Sequence, residues 1–169
     1  MSDEDRRPIA VIGVGNEFRG DDAAGLAVAR AVRAQVARAE PGTVTIRECG
    51  GDPARLLESW LGHDAVFVAD AMRSGAAPGT IRRVDVGQDT PPRRHGQSSS
   101  THGIGLEETI ELARGLDRLP PALIVYAIEG ARFGTGTGLS AEVEAAVPRL
   151  AEIVLAECRA LRGRPGGSK

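Results

Sequence analysis

The chain has 169 residues, 41% of them hydrophobic and 26% charged, with a formal net charge of -2. That length is enough for one well-buried core and composition gives no reason to divide it, so residues 8–162 are read as a single domain between flexible tails at 1–7 and 163–169. A near-neutral balance makes no single-sign field, and three Phe, one Trp and one Tyr leave little to stack bases on, which excludes nucleic acid as a partner.

The opening "MSDEDRRP" is acidic and polar and runs straight into an apolar strand, unlike a signal peptide, and no apolar run approaches a membrane span. A cytoplasmic protein is expected, monomeric and without a membrane partner. The first strand candidate is "PIAVIGV" (8–14). It leads into "VIGVGNEFRGDDAAG" (11–25), where a Gly-x-Gly turn precedes Asp21 and Asp22 at the start of a helix over about 21–39, with Ala24, Val28, Val32 and Val36 on one face. A second strand, "TVTIREC" (43–49), and a helix over 53–61 follow. The third strand, "DAVFVAD" (64–70), closes on Asp70, and the fourth is "TIRRVDV" (80–86). The Pro/Ser-rich stretch 87–101 is long for a structureless loop and reads as functional or mobile. Beyond it come His102, a helix over 103–116, the fifth strand "ALIVYAI" (122–128), and a helix over 140–162 with Val143, Val147, Leu150 and Val154 along one stripe. Cys49 and Cys158 lie far apart without a CxxC and read as two thiols, not a disulfide framework.

Strands alternating with helices make an α/β protein, expected as a three-layer α/β/α sandwich around a five-stranded, mostly parallel, twisted sheet. Strands 1, 3 and 5 are almost continuously apolar, as central strands covered on both faces are. Only nine residues separate Asp70 from Thr80, too few for the crossover a parallel pair needs, so strand 4 should run antiparallel to strand 3. The chain must then climb back through 87–101 before the next helix. That puts His102 on the rim formed by the carboxyl ends of strands 1, 3 and 5, where open α/β sheets bind ligands. Asp22, Asp70 and His102, three potential metal ligands, thereby converge from distant parts of the chain.

Rival readings are weaker. A dinucleotide fingerprint needs a small residue three places after the second Gly, where this chain has Phe18. A receiver-type phosphotransfer domain would pair its acids with a Lys after strand 5; here Glu129 follows Ile128 and the only Lys is Lys169. Each residue also has an ordinary structural reading: Asp21 or Asp22 as a helix cap, Asp70 as a partnered buried acid, and His63, His95 and His102 as surface or capping histidines.

The blocks "GVGNEFRGDDAAG", "GGDPARLLE", "VFVADAM", "THGIGLEETI" and "GTGTGLSAEVEAAVPRL" resemble, in order and over nearly the whole chain, those of the [NiFe]-hydrogenase maturation endopeptidases. The resemblance implies a single hydrogenase-maturation-protease-like domain of the phosphorylase/hydrolase-like fold, with a fourth, antiparallel strand. It implies an endopeptidase that removes the C-terminal extension of a hydrogenase large-subunit precursor after nickel insertion. The family's nickel-recognising acid after strand 1, Asp at the end of strand 3 and His before a later helix fall on Asp22, Asp70 and His102, and the family accepts either Asp or Glu at the first of these. Two departures stand out: Cys49 precedes "GG" where an acid is usual, and the loop before His102 is rich in Arg and Ser.

Two carboxylates and an imidazole suit nickel or zinc better than a soft metal, and three protein ligands leave coordination positions open. In the family reading the nickel-loaded precursor is the partner and brings the metal, so no tightly bound intrinsic cofactor is expected. The bond would be cut by a water activated by Asp22 or Asp70 or polarised by the nickel, with attack by a Cys49 thiolate as the alternative. Two other classes stay open: an independent metallohydrolase of a small substrate, and a non-catalytic metal-sensing or scaffold module.

Overall fold

The computed structural model describes residues 8–39, 44–88 and 105–162. The expected tails, His95, His102 and most of the 87–101 stretch lie outside the described residues. The elements are β1 (Ile9–Val14), α1 (Ala24–Ala39), β2 (Thr45–Cys49), α2 (Pro53–Trp60), β3 (Ala65–Met72), β4 (Ile81–Asp85), α3 (Leu106–Gly115), β5 (Ala122–Glu129) and α4 (Ala141–Arg162). A short 3-10 turn, Gly20–Ala23, precedes α1, so the helix expected from residue 21 starts as a tighter turn that carries both aspartates. Asp52 opens α2 by accepting the Ala54 N–H at 3.0 Å, with Pro53 behind it, where a fixed φ and a missing donor cost nothing.

The five strands run in the order β2-β1-β3-β5-β4, with β4 antiparallel and the others parallel. The short connection after β3 does reverse the chain, but β4 does not lie beside β3. It steps over β5 and pairs with that strand's outer edge, Ile81 opposite Ile128 and Asp85 opposite Ile124. The central strands are β1, β3 and β5, the three apolar ones. The edges β2 and β4 carry the charges, Arg47 and Glu48 on one and Arg82, Arg83 and Asp85 on the other, which discourages pairing with a further strand.

Alternation along each strand divides the core between the two faces. Ile9, Val11, Phe67, Ile124 and Tyr126 meet Val28 and Val32 of α1 and Val143, Leu150 and Val154 of α4. Ile12, Val66, Val68 and Leu123 meet Leu56, Leu57 and Trp60 of α2 and Ile110 and Ala113 of α3. The outcome is the expected three-layer sandwich. Among the described residues no helix is long and apolar enough to cross a membrane.

Candidate functional site

β1 and β3 run side by side only as far as Gly13 and Ala69. Beyond that point β1 turns away through Gly15, while β3 continues to Met72 against β5 alone. Asp70 is therefore not the last residue of its strand: it stands one place past the end of the β1 pairing, facing a gap. The chain leaves β1 for α1 on one face of the sheet, and α2 feeds β3 from the other face. The gap is thus the topological switch point of the sheet, where the diverging connections leave a crevice.

Three glycines bring Asp22 over this gap. Gly15, at φ +152°, has the Asp22 carbonyl directly against its Cα, in the space a Cβ would fill. At Gly25, in the first turn of α1, a Cβ would overlap the carbonyl oxygens of both Ala69 and Val14. Gly13 is needed for packing rather than for conformation, since its absent side chain admits the Gly25 carbonyl. The start of α1 thereby rests on the ends of β1 and β3, and Asp22 is held beside Asp70.

The electrostatics record that proximity. Burial pushes the Asp70 carboxyl up to about 7; the Ala71 N–H, bonded to it at 2.8 Å, opposes the rise, and the negative charge of Asp22 adds to it. Among the described residues neither carboxylate has an ion-pair partner. Two acids sharing a crevice with no counter-ion among the described residues can take up a cation or a proton. No group of three metal-ligating side chains is complete among the described residues. The third expected ligand, His102, lies outside them; the chain resumes at Gly105, the N-cap of α3. Even-numbered Val66 and Val68 face the α2/α3 layer, so Asp70 continues the row of β3 on the side where α3 begins. His63 precedes β3 at the opposite end of the sheet and takes no part.

Asp21, for which sequence alone offers a cap, has a different role. It is fully buried and accepts four hydrogen bonds, from the N–H groups of Ala131 (2.7 Å), Arg132 (2.8 Å) and Ser140 (2.7 Å) and from the Ser140 hydroxyl (2.8 Å). Burial alone would raise its pKa, but these donors outweigh that and hold it below the ordinary carboxylate value. Main-chain bonds from Asp21 to Arg132 and from Gly20 to Gly136 complete the clamp, which fixes the 130–140 loop to the turn bearing Asp22. Glu129 does the same for the loop after β3. It is 2% exposed and accepts from Ser74 N–H, Ser74 Oγ–H and Gly75 N–H at 2.7–3.0 Å. The two loops meet where the Arg73 guanidinium lies 4.5 Å from the centre of the Phe133 ring. Sequence inspection finds these acids but not their donors, which arrive from residues more than fifty positions away.

Cys49 ends β2 beneath the rim, where its carbonyl accepts the Gly15 N–H at 3.1 Å. Its side chain is buried, and burial raises the thiol pKa although Ser59 and nearby arginines oppose it. A thiol kept protonated is a poor nucleophile.

The family model for hydrogenase maturation protease matches residues 9–157. The chain is 28% identical over 152 residues to the hydrogenase 2 maturation protease of Escherichia coli K12, covering 89% of this chain and 90% of that protein. The hydrogenase maturating endopeptidase HybD from E. coli superposes with a TM-score of 0.72 at 28% identity, covering 91% of this chain and 93% of that one. The [NiFe] hydrogenase maturation protease HycI from Thermococcus kodakarensis does so with a TM-score of 0.70 at 25% identity, covering 90% and 93%. With the family model spanning β1 to α4, and the fold shared with these endopeptidases, the chain belongs to the hydrogenase maturation protease family, whose members are hydrolases.

Proposed function

We propose that this protein cuts the C-terminal extension from a [NiFe]-hydrogenase large-subunit precursor once nickel has been inserted, and that Asp22, Asp70 and His102 read the metal the precursor carries. The observation that carries this reading is the meeting of Asp22 and Asp70 at the crevice between β1 and β3, interacting and with no counter-ion among the described residues. A resident cation would normally be held by a more complete set of ligands. Two carboxylates and one imidazole instead leave room for ligands supplied by the precursor, so nickel enters with the substrate and no tight intrinsic cofactor is needed.

In this mechanism the carboxylates orient the metal-bearing end of the precursor. Asp70, titrating near neutrality, receives a proton from the attacking water. The water oxygen bonds to the scissile carbonyl carbon, the C–N bond breaks, and the proton passes to the departing amine. The buried acids Asp21 and Glu129 hold the loops that frame the crevice. The reaction takes place in the cytoplasm, with the precursor as the one macromolecular partner.

The test is to dialyse the enzyme against chelator, offer it nickel-loaded and nickel-free precursor, and weigh the products. Cleavage of the loaded form alone is expected. Equal cleavage of both forms would refute metal reading. A need for added zinc with either form would make the protein an ordinary metallopeptidase, and binding without any change in precursor mass would make it a scaffold.

A further inference from the structure

α4 does not cover β4, and between the two lies an open groove of about 730 Å³. Its upper end is at the rim, where Pro78 and Gly79 of the loop after β3 lead into Ile81. Tyr126 of β5 lies in its floor, and Arg149 and Ile153 of α4 form the opposite wall. Ile153 is 40% exposed, a large apolar side chain with nothing over it among the described residues.

The charges in the groove do not cancel. Glu157 accepts from Arg83 at 2.9 and 3.1 Å and from the Tyr126 hydroxyl, so its charge is spent within the wall. Arg149, two turns earlier on α4, has no ion-pair or hydrogen-bond partner among the described residues. One spare positive charge therefore stands beside apolar surface in a channel that opens onto the same rim as Asp22 and Asp70.

We propose that this groove receives the C-terminal extension of the substrate, with Arg149 taking its terminal carboxylate; the inference rests on the function proposed above. A peptide cut at its C-terminal end always presents that carboxylate, so a cation at a fixed distance from the crevice reads the end of the chain whatever the sequence before it. Arg suits the task because its planar guanidinium binds a carboxylate through two hydrogen bonds. The reach can be estimated. From β3 to β4 is two strand spacings, about 10 Å, and Arg149 lies eight residues into α4, about 12 Å below the rim. At about 3.3 Å per extended residue these two legs take about seven residues, and crossing the rim from the α2/α3 side, where Asp70 stands, to the α4 side past the Arg73 and Phe133 contact adds to that number.

Two measurements test it. In the first, nickel-loaded precursor is processed by the wild type, Arg149→Ala, Arg149→Lys and a control, Arg55→Ala, on the far face. An exposed pair of this kind is worth up to about 1 kcal/mol, so KM should rise about fivefold in Arg149→Ala with little change in kcat, while the Lys variant, which keeps the charge and loses the paired hydrogen bonds, falls between the two and the control stays near wild type. In the second, a fluorescein-labelled peptide copying the precursor's extension is titrated against the enzyme as free acid and as C-terminal amide. The acid should bind about fivefold more tightly than the amide to the wild type, and equally to Arg149→Ala. Equal binding of acid and amide to the wild type, or an unchanged KM in Arg149→Ala, overturns the proposal while leaving the proposed function standing. A wild type that processes no precursor refutes the function instead, and the peptide titration still reports on the groove.

Discussion

Replacing Asp70 by asparagine removes a charge that the fold holds against its preference. The carboxyl titrates near 7 instead of 3.8 because burial disfavours the anion and Asp22 repels it. The native chain therefore binds this proton more tightly than the unfolded chain does. The stability it contributes is fully present below about pH 3.8 and is lost as the pH rises through about 7. The whole shift is worth about 4 kcal/mol at about 1.4 kcal/mol per pH unit. Asp70 keeps some exposure, and screening by water reduces this to about 2 kcal/mol. Asparagine has nearly the same shape and is neutral throughout. Asp70→Asn should thus match the wild type near pH 4 and exceed its stability by about 2 kcal/mol near pH 8, a Tm rise of roughly 4–8 °C for a chain of this size, while losing processing altogether. Urea unfolding followed by circular dichroism across that pH range gives the difference directly. A difference that does not vary with pH, or an Asn variant less stable than wild type near pH 8, would show Asp70 to be an ordinary structural carboxylate.

The remaining predictions concern the frame of the crevice. Asp21→Asn puts an amide N–H against one of the donors Ala131, Arg132 or Ser140, and should destabilise the fold by about 3 kcal/mol in urea unfolding; a loss below about 1 kcal/mol would mean that the clamp is dispensable. Gly25→Ala drives a methyl group into the carbonyls of Ala69 and Val14, so α1 must lift from β1 and β3, with an expected cost of about 2–4 kcal/mol and loss of processing even in the folded fraction, as measured by mass spectrometry on refolded protein. Cys49→Ala should leave the processing rate unchanged, because the buried, protonated thiol takes no part; an inactive but folded variant would restore the thiolate mechanism.

The sequence by itself determined the layers and carried Asp70 to the rim, at the end of an apolar strand. Apolar runs at 9–14, 65–69 and 122–128 can satisfy themselves only as strands covered on both faces, and the stripes of Val28 and Val32, and of Val143, Leu150 and Val154, can only be the helix faces that cover them. These are local periodicities, and local chemistry decides them. The reversal at β4 was legible for a similar reason, since a short connection cannot make a parallel crossover. Its partner was not. Whether the returning strand lies beside β3 or beyond β5 depends on which edge is already filled, and only the assembled sheet decides that.

The division of labour between Asp21 and Asp22 also belongs to the tertiary structure. The two are chemically equal and adjacent in sequence. One is surrounded by donors from residues 131, 132 and 140 and is buried as a structural anion; the other is left facing Asp70. No spacing rule distinguishes them, because the donors come from a loop more than a hundred residues away. The same holds for Glu129, which in sequence marks only the absence of a lysine and in the fold holds the loop after β3. It holds as well for Gly13, which in sequence is only the first glycine of a Gly-x-Gly turn and which the fold requires for the close approach of α1. Sequence carries what a residue can do within its own turn or strand; burial, donors from afar and the charge of a neighbour across a gap exist only once the chain has closed on itself.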